Sequence, residues 1–258
     1  MDLRPLGSTG IMVSPIGLGT VKFGRNEQVK YPKPFDLPED YEISNLLALA
    51  SDLGINLLDT APAYGSSQSR LGRLLPGPRD RWVVVSKVGE FFENGASRFD
   101  FSFETTIQVV EHSLRTLNMD YLDIVLIHSD GDDMRILEQG GALDALRELK
   151  QRGLIRAHGM SSKTPEGGLR TVQEMDVVMA TCNPDHSDDL PVLEAAAAAN
   201  KGVLIKKGLQ SGHVGGPDGV ARSMEYVFSQ PGVSSMIVGT INPNHLQDNV
   251  KICDSVVK

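Results

Sequence analysis

Eight short apolar runs, each separated from the next by helix-like sequence, constrain this chain more than any other feature. The runs fall at 14–20, 55–59, 82–87, 122–128, 155–162, 176–182, 202–207 and 234–240. Most are continuous in Val, Ile and Leu rather than alternating in polarity, as strands buried on both faces are. Between them, residues 38–54 place Ile43, Leu46, Leu47 and Ala50 at i, i+3, i+4, i+7 spacing, with Gly54 as the stop. Segments 102–118, 142–153, 189–202 and 242–257 are helical by the same logic, and Ser102 is a candidate N-cap.

Strands alternating with helices imply a parallel sheet covered by helices. Eight such units in a chain of 258 residues predict an α/β fold of the closed (β/α)₈ kind, a TIM barrel. An open doubly wound sheet would carry G-x-G-x-x-G after its first strand. Here Gly17 and Gly19 are followed by Val21, Lys22 and Phe23 before Gly24, the wrong offset. Ser8-Thr9-Gly10, between short apolar stretches, predicts a small N-terminal hairpin capping the barrel bottom. No repeat, linker or compositional break divides the chain, so residues 1–258 are expected to form a single domain. The longest loops are expected at 21–37 and 89–101.

The net charge of −8 argues against nucleic-acid binding, which needs a surplus of Lys and Arg. Cys182 and Cys253 lie far apart with no CxxC, so a disulfide framework, an iron–sulfur cluster or a zinc site is not expected. No segment approaches the roughly 20 apolar residues of a membrane span, and the first residues lack a signal-peptide core. A cytoplasmic protein is the expectation.

In a (β/α)₈ barrel the C-terminal ends of the strands converge on one mouth, where the chemistry sits. Asp59 ends the second run, with Tyr64 in the loop after it. Lys87 ends the third run and His128 the fourth. Each alone has an ordinary structural explanation, such as a loop cap or a strand-end lysine. Together they form a chemical set. Lysine beside a phenol is expected to lower its pKa, and aspartate gives the lysine a counter-ion. Histidine can then orient a substrate oxygen. Such a set can give a proton to a carbonyl oxygen while hydride arrives at carbon, and it needs a nicotinamide cofactor as the hydride source.

The motifs GLGT, LLDTAPAYG, VVSKVG and LDIVLIH, with VGTINPNHLQDNV near the end, resemble the aldo-keto reductase family. The resemblance runs over nearly the whole chain, in order. It implies a barrel that reduces aldehydes and ketones with NADPH, with NADH possible. Tyr64 then resembles the proton donor, Asp59 and Lys87 its tuning pair, and His128 the substrate-orienting residue. The cofactor positions it implies are Gly19, Thr20, Asp59, Ser161, Ser162, Lys206, Leu209, Gly239, Thr240, His245, Asp248 and Asn249. Several places at this site depart from the family pattern, Gly239 among them, and Ser161-Ser162 stands where Ser-Asn is common. Met179 stands where Gln is common, Lys206 where an aromatic stacks, and His245 where Arg grips the 2′-phosphate. The family's long C-terminal pocket loop has no counterpart, so an open pocket lined by Phe23, Phe91 and Phe92 is expected. Two alternatives stay open: a Schiff-base aldolase or isomerase acting through Lys87, and an NADPH-binding redox sensor with little turnover.

Overall fold

The computed structural model describes residues 1–257. β1 (Arg4–Pro5) and β2 (Met12–Val13) pair antiparallel as the predicted hairpin. Eight parallel strands follow: β3 (Ile16–Gly19), β4 (Leu57–Asp59), β5 (Val83–Val88), β8 (Leu122–His128), β9 (Ile155–Ser161), β10 (Val177–Thr181), β11 (Gly202–Lys206) and β12 (Val233–Val238). They close into a barrel, with β12 returning to β3. Each lies inside one of the eight predicted runs, to within a residue.

The helices are α1 (Asp40–Asp52), α2 (Ser67–Leu74), α3 (Phe103–Leu117), α4 (Asp133–Gln139), α5 (Ala142–Gln151), α6 (Pro165–Glu174), α7 (Leu190–Ala198), α8 (Gly216–Phe228) and α9 (Pro243–Val256). Ser102 caps α3 as expected, accepting from Thr105 N at 3.4 Å. At the other end Asn118 takes the left-handed conformation, with φ 55°. α2, α4, α6 and α8 have no counterpart among the predicted helices.

Residues 89–101, expected as a loop, instead contain a hairpin of β6 (Glu90–Glu93) and β7 (Ala96–Phe99). Its turn is Asn94-Gly95, both with positive φ, 52° and 75°. Asn-Gly is the pair that a two-residue hairpin turn demands, because both positions must be left-handed.

Two apolar layers hold the barrel. Outside it, Leu58, Val84, Val125 and Val178 pack against the helices. Inside it, Leu57, Val83, Val85, Ile124, Leu126 and Leu204 meet one another. Successive strand residues point to opposite faces. Counting by two from Leu57, Val85, Leu126 and Leu204 therefore puts Asp59, Lys87, His128 and Lys206 on the inner face, one layer higher. The hairpin closes the opposite end with Leu6, Ile11 and Val13, each buried in that inner cluster. Ile11→Ala opens a void in this plug and should destabilise the protein by about 2–5 kcal/mol, read by urea denaturation. Activity per folded molecule should not change, because the plug lies at the far end from the mouth.

Candidate active site

Lys87 Nζ donates to Asp59 Oδ1 at 2.5 Å and to the Thr60 carbonyl at 3.0 Å. Both side chains are nearly fully buried, at 2% and 7% exposure. The end of β4 is fixed from below. Thr20 donates to the Asp59 carbonyl through both its amide and its hydroxyl, at 2.9 Å each. The Ser67 hydroxyl then bonds the hydroxyls of Thr20 and Thr60, at 2.8 and 3.1 Å, tying the start of α2 to this strand end.

Tyr64 ends a single 3₁₀ turn, Pro62–Tyr64, that leaves β4. Gly65 follows with φ 58°, and a side chain there would run into the Gly24 carbonyl. The turn thus lies against the loop after β3 and aims the phenol back over the barrel. Lys87 Nζ is 4.8 Å from the Tyr64 ring centre, and the His128 ring stands edge-on to it at 6.2 Å. Behind His128, Nδ1 lies 2.7 Å from Glu90 Oε2 at the start of β6.

The expected lowering of the tyrosine pKa does not occur. Burial, with Asp59 and Glu90 adding negative charge, pushes the Tyr64 phenol well above its ordinary value, and Arg25 opposes this only in part. The Lys87 charge is taken up by its own carboxylate. An ammonium donating to a carboxylate has no lone pair for attack on a carbonyl, which counts against the Schiff-base alternative. Burial also lowers His128, aided by Lys87 and Lys206 and opposed by Glu90. Burial would raise the Glu90 carboxyl, but His128, Ser97 and Arg25 together bring it down to about 2.

Tyr64, Lys87, Asp59 and His128 face one cavity of 280 Å³ with Gly19, Ser161, Met179 and Lys206. A wider groove of 810 Å³ adjoins it, and Tyr31, Leu209, Gly212, Gly239 and Asn249 belong to both walls. Thr240, His245 and Asp248 line only the groove. Lys206 Nζ donates to Ser161 Oγ at 2.9 Å and to the Ser162 carbonyl at 2.5 Å. Burial first, and then Lys207, lowers the Lys206 pKa to about 7.

Several expected positions fall elsewhere. Phe23 is fully buried and packs in the outer apolar layer, because its helical turn at Val21–Phe23 directs it away from the mouth. Phe91 and Phe92 sit on the β6–β7 hairpin beneath guanidinium groups, Arg98 at 4.3 Å and Arg25 at 3.4 Å. They line neither cavity wall. Thr20 and Ser162 are buried under the site rather than in its wall. Instead Tyr31, from the loop after β3, reaches the mouth. A Cβ on Gly239 would lie 2.6 Å from its hydroxyl, and a Cβ on Gly212 would meet Pro32 at 3.6 Å. Residues 31–32 therefore span the two lips of the groove. Tyr31 and Glu90 were not among the expected site residues. The acid three places after Lys87, at a strand end, was the signal for Glu90.

The profile of the Aldo/keto reductase family matches residues 15–214. The chain belongs to the aldo/keto reductase family. A crystal structure from Pseudomonas aeruginosa with the same family assignment is 53% identical, with a TM-score of 0.92, over 99% of this chain and 96% of that one. L-galactose dehydrogenase of Arabidopsis thaliana is 27% identical over 97% of this chain and 87% of its own length. The NADH-specific methylglyoxal reductase of Escherichia coli is 32% identical over 70% of this chain and 58% of its own. Such oxidoreductase relatives support an oxidoreductase using a nicotinamide cofactor. Among the described residues of this aldo/keto reductase, no helix is long and apolar enough to cross a membrane, and no acid, histidine or cysteine cluster could hold a metal.

The Asp59–Lys87 pair also makes a stability prediction. Asp59→Ala strands a buried ammonium and should destabilise the fold by about 3–5 kcal/mol in chemical denaturation. Adding Lys87→Met should recover most of that loss, because the charge left unpaired is then gone.

Proposed function

We propose that this chain reduces aldehydes or ketones to alcohols with NADPH, and that Tyr64 supplies the proton. The observation that carries this reading is the meeting of Tyr64, the Asp59–Lys87 pair and His128 in one cavity that opens into a lysine-lined groove. A dinucleotide fits the donor set present. In a chain of net charge −8, Lys22, Lys33, Lys206, Lys207 and Lys251 all face the two connected cavities. Gly19 and Gly239 present backbone at the wall, and Asn249 is buried between the two spaces. Ser161 and Lys206 would meet the nicotinamide end, and Thr240, His245, Asp248 and Asn249 the adenosine end. When bound, the cofactor supplies hydride to the carbonyl carbon.

Tyr64 keeps its proton across neutral pH and so is a donor, never a base, in the resting site. As it gives that proton to the carbonyl oxygen, a phenolate develops beside the Lys87 ammonium. Attraction between the two is gained in the transition state and absent from the ground state, which is what accelerates the chemical step. Asp59 holds Lys87 in the place where that gain is made. His128, its ring edge-on to Tyr64, orients the substrate.

The E. coli relative is NADH-specific, so family membership leaves the choice of cofactor open. Here Lys22, Lys33, Lys251 and His245 face the groove and favour a cofactor with the additional 2′-phosphate. Loss of NADPH absorbance over a panel of aldehydes and ketones tests the whole reading. Tight NADPH binding with no substrate reduced would favour the sensing alternative instead.

Two outcomes are expected from variants. Tyr64→Phe should lower kcat by about 10²–10⁴-fold and leave the NADPH Kd unchanged, because only the proton is lost. Lys206 should discriminate between cofactor redox states. Its ammonium repels the oxidised ring, which is cationic, but not the reduced one. That charge is present below the Lys206 pKa and lost as pH rises through about 7. The ratio of the NADP⁺ and NADPH dissociation constants should therefore fall by at least about threefold between pH 6 and pH 8.5. In Lys206→Met the ratio should be small and flat, as read by fluorescence titration.

A further inference from the structure

The two lysines of the mouth differ in what their nitrogens touch. Lys87 Nζ meets a carboxylate, Asp59 Oδ1, at 2.5 Å. Lys206 Nζ meets two neutral acceptors, Ser161 Oγ at 2.9 Å and the Ser162 carbonyl at 2.5 Å. An ammonium has three hydrogens to place, whereas a neutral amine has two hydrogens and a lone pair. Among the described residues Lys206 Nζ has no third acceptor, and no carboxylate pairs with it. This contact set matches the amine. The position left over carries the lone pair, and the open space beside Lys206 is the 280 Å³ cavity.

The charges around Lys206 favour the same form. Lys207 follows it in the chain and Lys163 lies just after β9, while Asp133 and Asp189 oppose them from beyond ion-pair distance. Across the cavity, Lys87 is matched by Asp59, and burial disfavours a charge on His128. Burial is the largest influence on Lys206 itself, and its pKa falls to about 7. A protonated lysine cannot attack a carbonyl, but a desolvated neutral one can.

We propose that Lys206 is a covalent capture site for small aldehydes, open in the cofactor-free protein and closed by the bound cofactor. The covalent step stands without the reductase reading; the competition rests on the cofactor placement given above. The amine lone pair attacks the carbonyl carbon, forming C–N as the carbonyl π pair moves to oxygen. One N–H proton passes to that oxygen, giving a carbinolamine. The hydroxyl then leaves with the second N–H proton as water, and C=N forms without any oxidant or reductant. When the imine takes up a proton, its N–H can again donate to the Ser162 carbonyl. An aldehyde is favoured over a ketone because its carbon carries one hydrogen and is less crowded in a space of this size.

The test uses propanal with cyanoborohydride, which reduces the iminium and fixes a propyl group on the nitrogen. Cofactor-free protein is treated at pH 7.5, and the labelling rate at each lysine is read by peptide mass spectrometry. Exposed Lys150, paired with Asp176 at 2.6 Å, is the internal reference. An ordinary lysine is almost wholly ammonium at this pH, so Lys206 should be labelled at least about tenfold faster than Lys150. Labelling at Lys206 no faster than at Lys150 overturns the capture site. The competition is read in Tyr64→Phe protein, whose slow turnover spares the cofactor, with NADPH saturation checked by fluorescence. Saturating NADPH should slow labelling of Lys206 by at least about tenfold and leave Lys150 unchanged. Fast labelling of Lys206 with NADPH bound overturns the competition alone. Absence of NADPH binding overturns the reductase reading and the competition together, and capture is then decided by the comparison with Lys150.

Discussion

A lysine on the inner face of the barrel, with apolar residues below it, is tolerable only because a carboxylate meets it there. Desolvating an ammonium is expensive, and a single well-placed acceptor of opposite charge offsets much of that cost. Lys87 and Asp59 satisfy this on adjacent strands, whose register places Asp59 beside Val85, two residues before Lys87. The surrounding structure serves that geometry. The hydroxyls of Thr20, Thr60 and Ser67 lock the end of β4, and the turn that follows carries Tyr64 over the pair. A shift of one residue in either strand would turn its polar side chain into the outer layer. The ion pair thus depends on barrel register, and the position of Tyr64 depends on the ion pair's strand.

That register is why so much of the molecule can be read from its residues. Continuous apolar runs specify buried strands, and their terminal polar residues fall on the inner face by simple alternation. Asp59, Lys87 and His128 were legible for that reason, and Lys206 by resemblance. What was not legible lies where no periodicity operates. Phe23 sits in a loop segment, and only the three-residue turn that contains it decides that it faces the core. Phe91 and Phe92 are strand neighbours and point to opposite faces, yet both are covered: Phe91 by its cross-strand partner Arg98, and Phe92 by Arg25, distant in sequence. Tyr31 reaches the mouth through a long loop whose path is set by contacts with Gly212 and Gly239, more than 100 residues away in sequence. The Asn94-Gly95 turn was a local signal for the hairpin. Its flanking strands are short and partly exposed, so the hydrophobic pattern around it was weak.

The direction of the tyrosine shift shows the limit of residue-type reasoning. Lysine beside tyrosine suggests a lowered pKa, but the sign depends on what else shares the space. Here the ammonium is neutralised by its own partner, and two carboxylates and burial act on the phenol in the other direction. The resting site therefore holds its proton firmly. In the proposed reaction, assistance from Lys87 would come only as charge develops, which is the useful place for it in catalysis.

The same reasoning distinguishes the two lysines of the mouth. Lys87 has its carboxylate. Lys206 has a serine hydroxyl and a backbone carbonyl, and among the described residues no carboxylate lies within ion-pair distance of it. A buried cation without a counter-ion is a liability in the empty fold, and proteins keep such groups where a ligand completes them. Lys207 beside it, and Lys22, Lys33 and Lys251 along the groove, extend that surplus of positive charge across an otherwise acidic molecule. The counter-charge that the chain omits at this one place is what an anionic dinucleotide brings. The groove thus carries the charge that the proposed cofactor would neutralise.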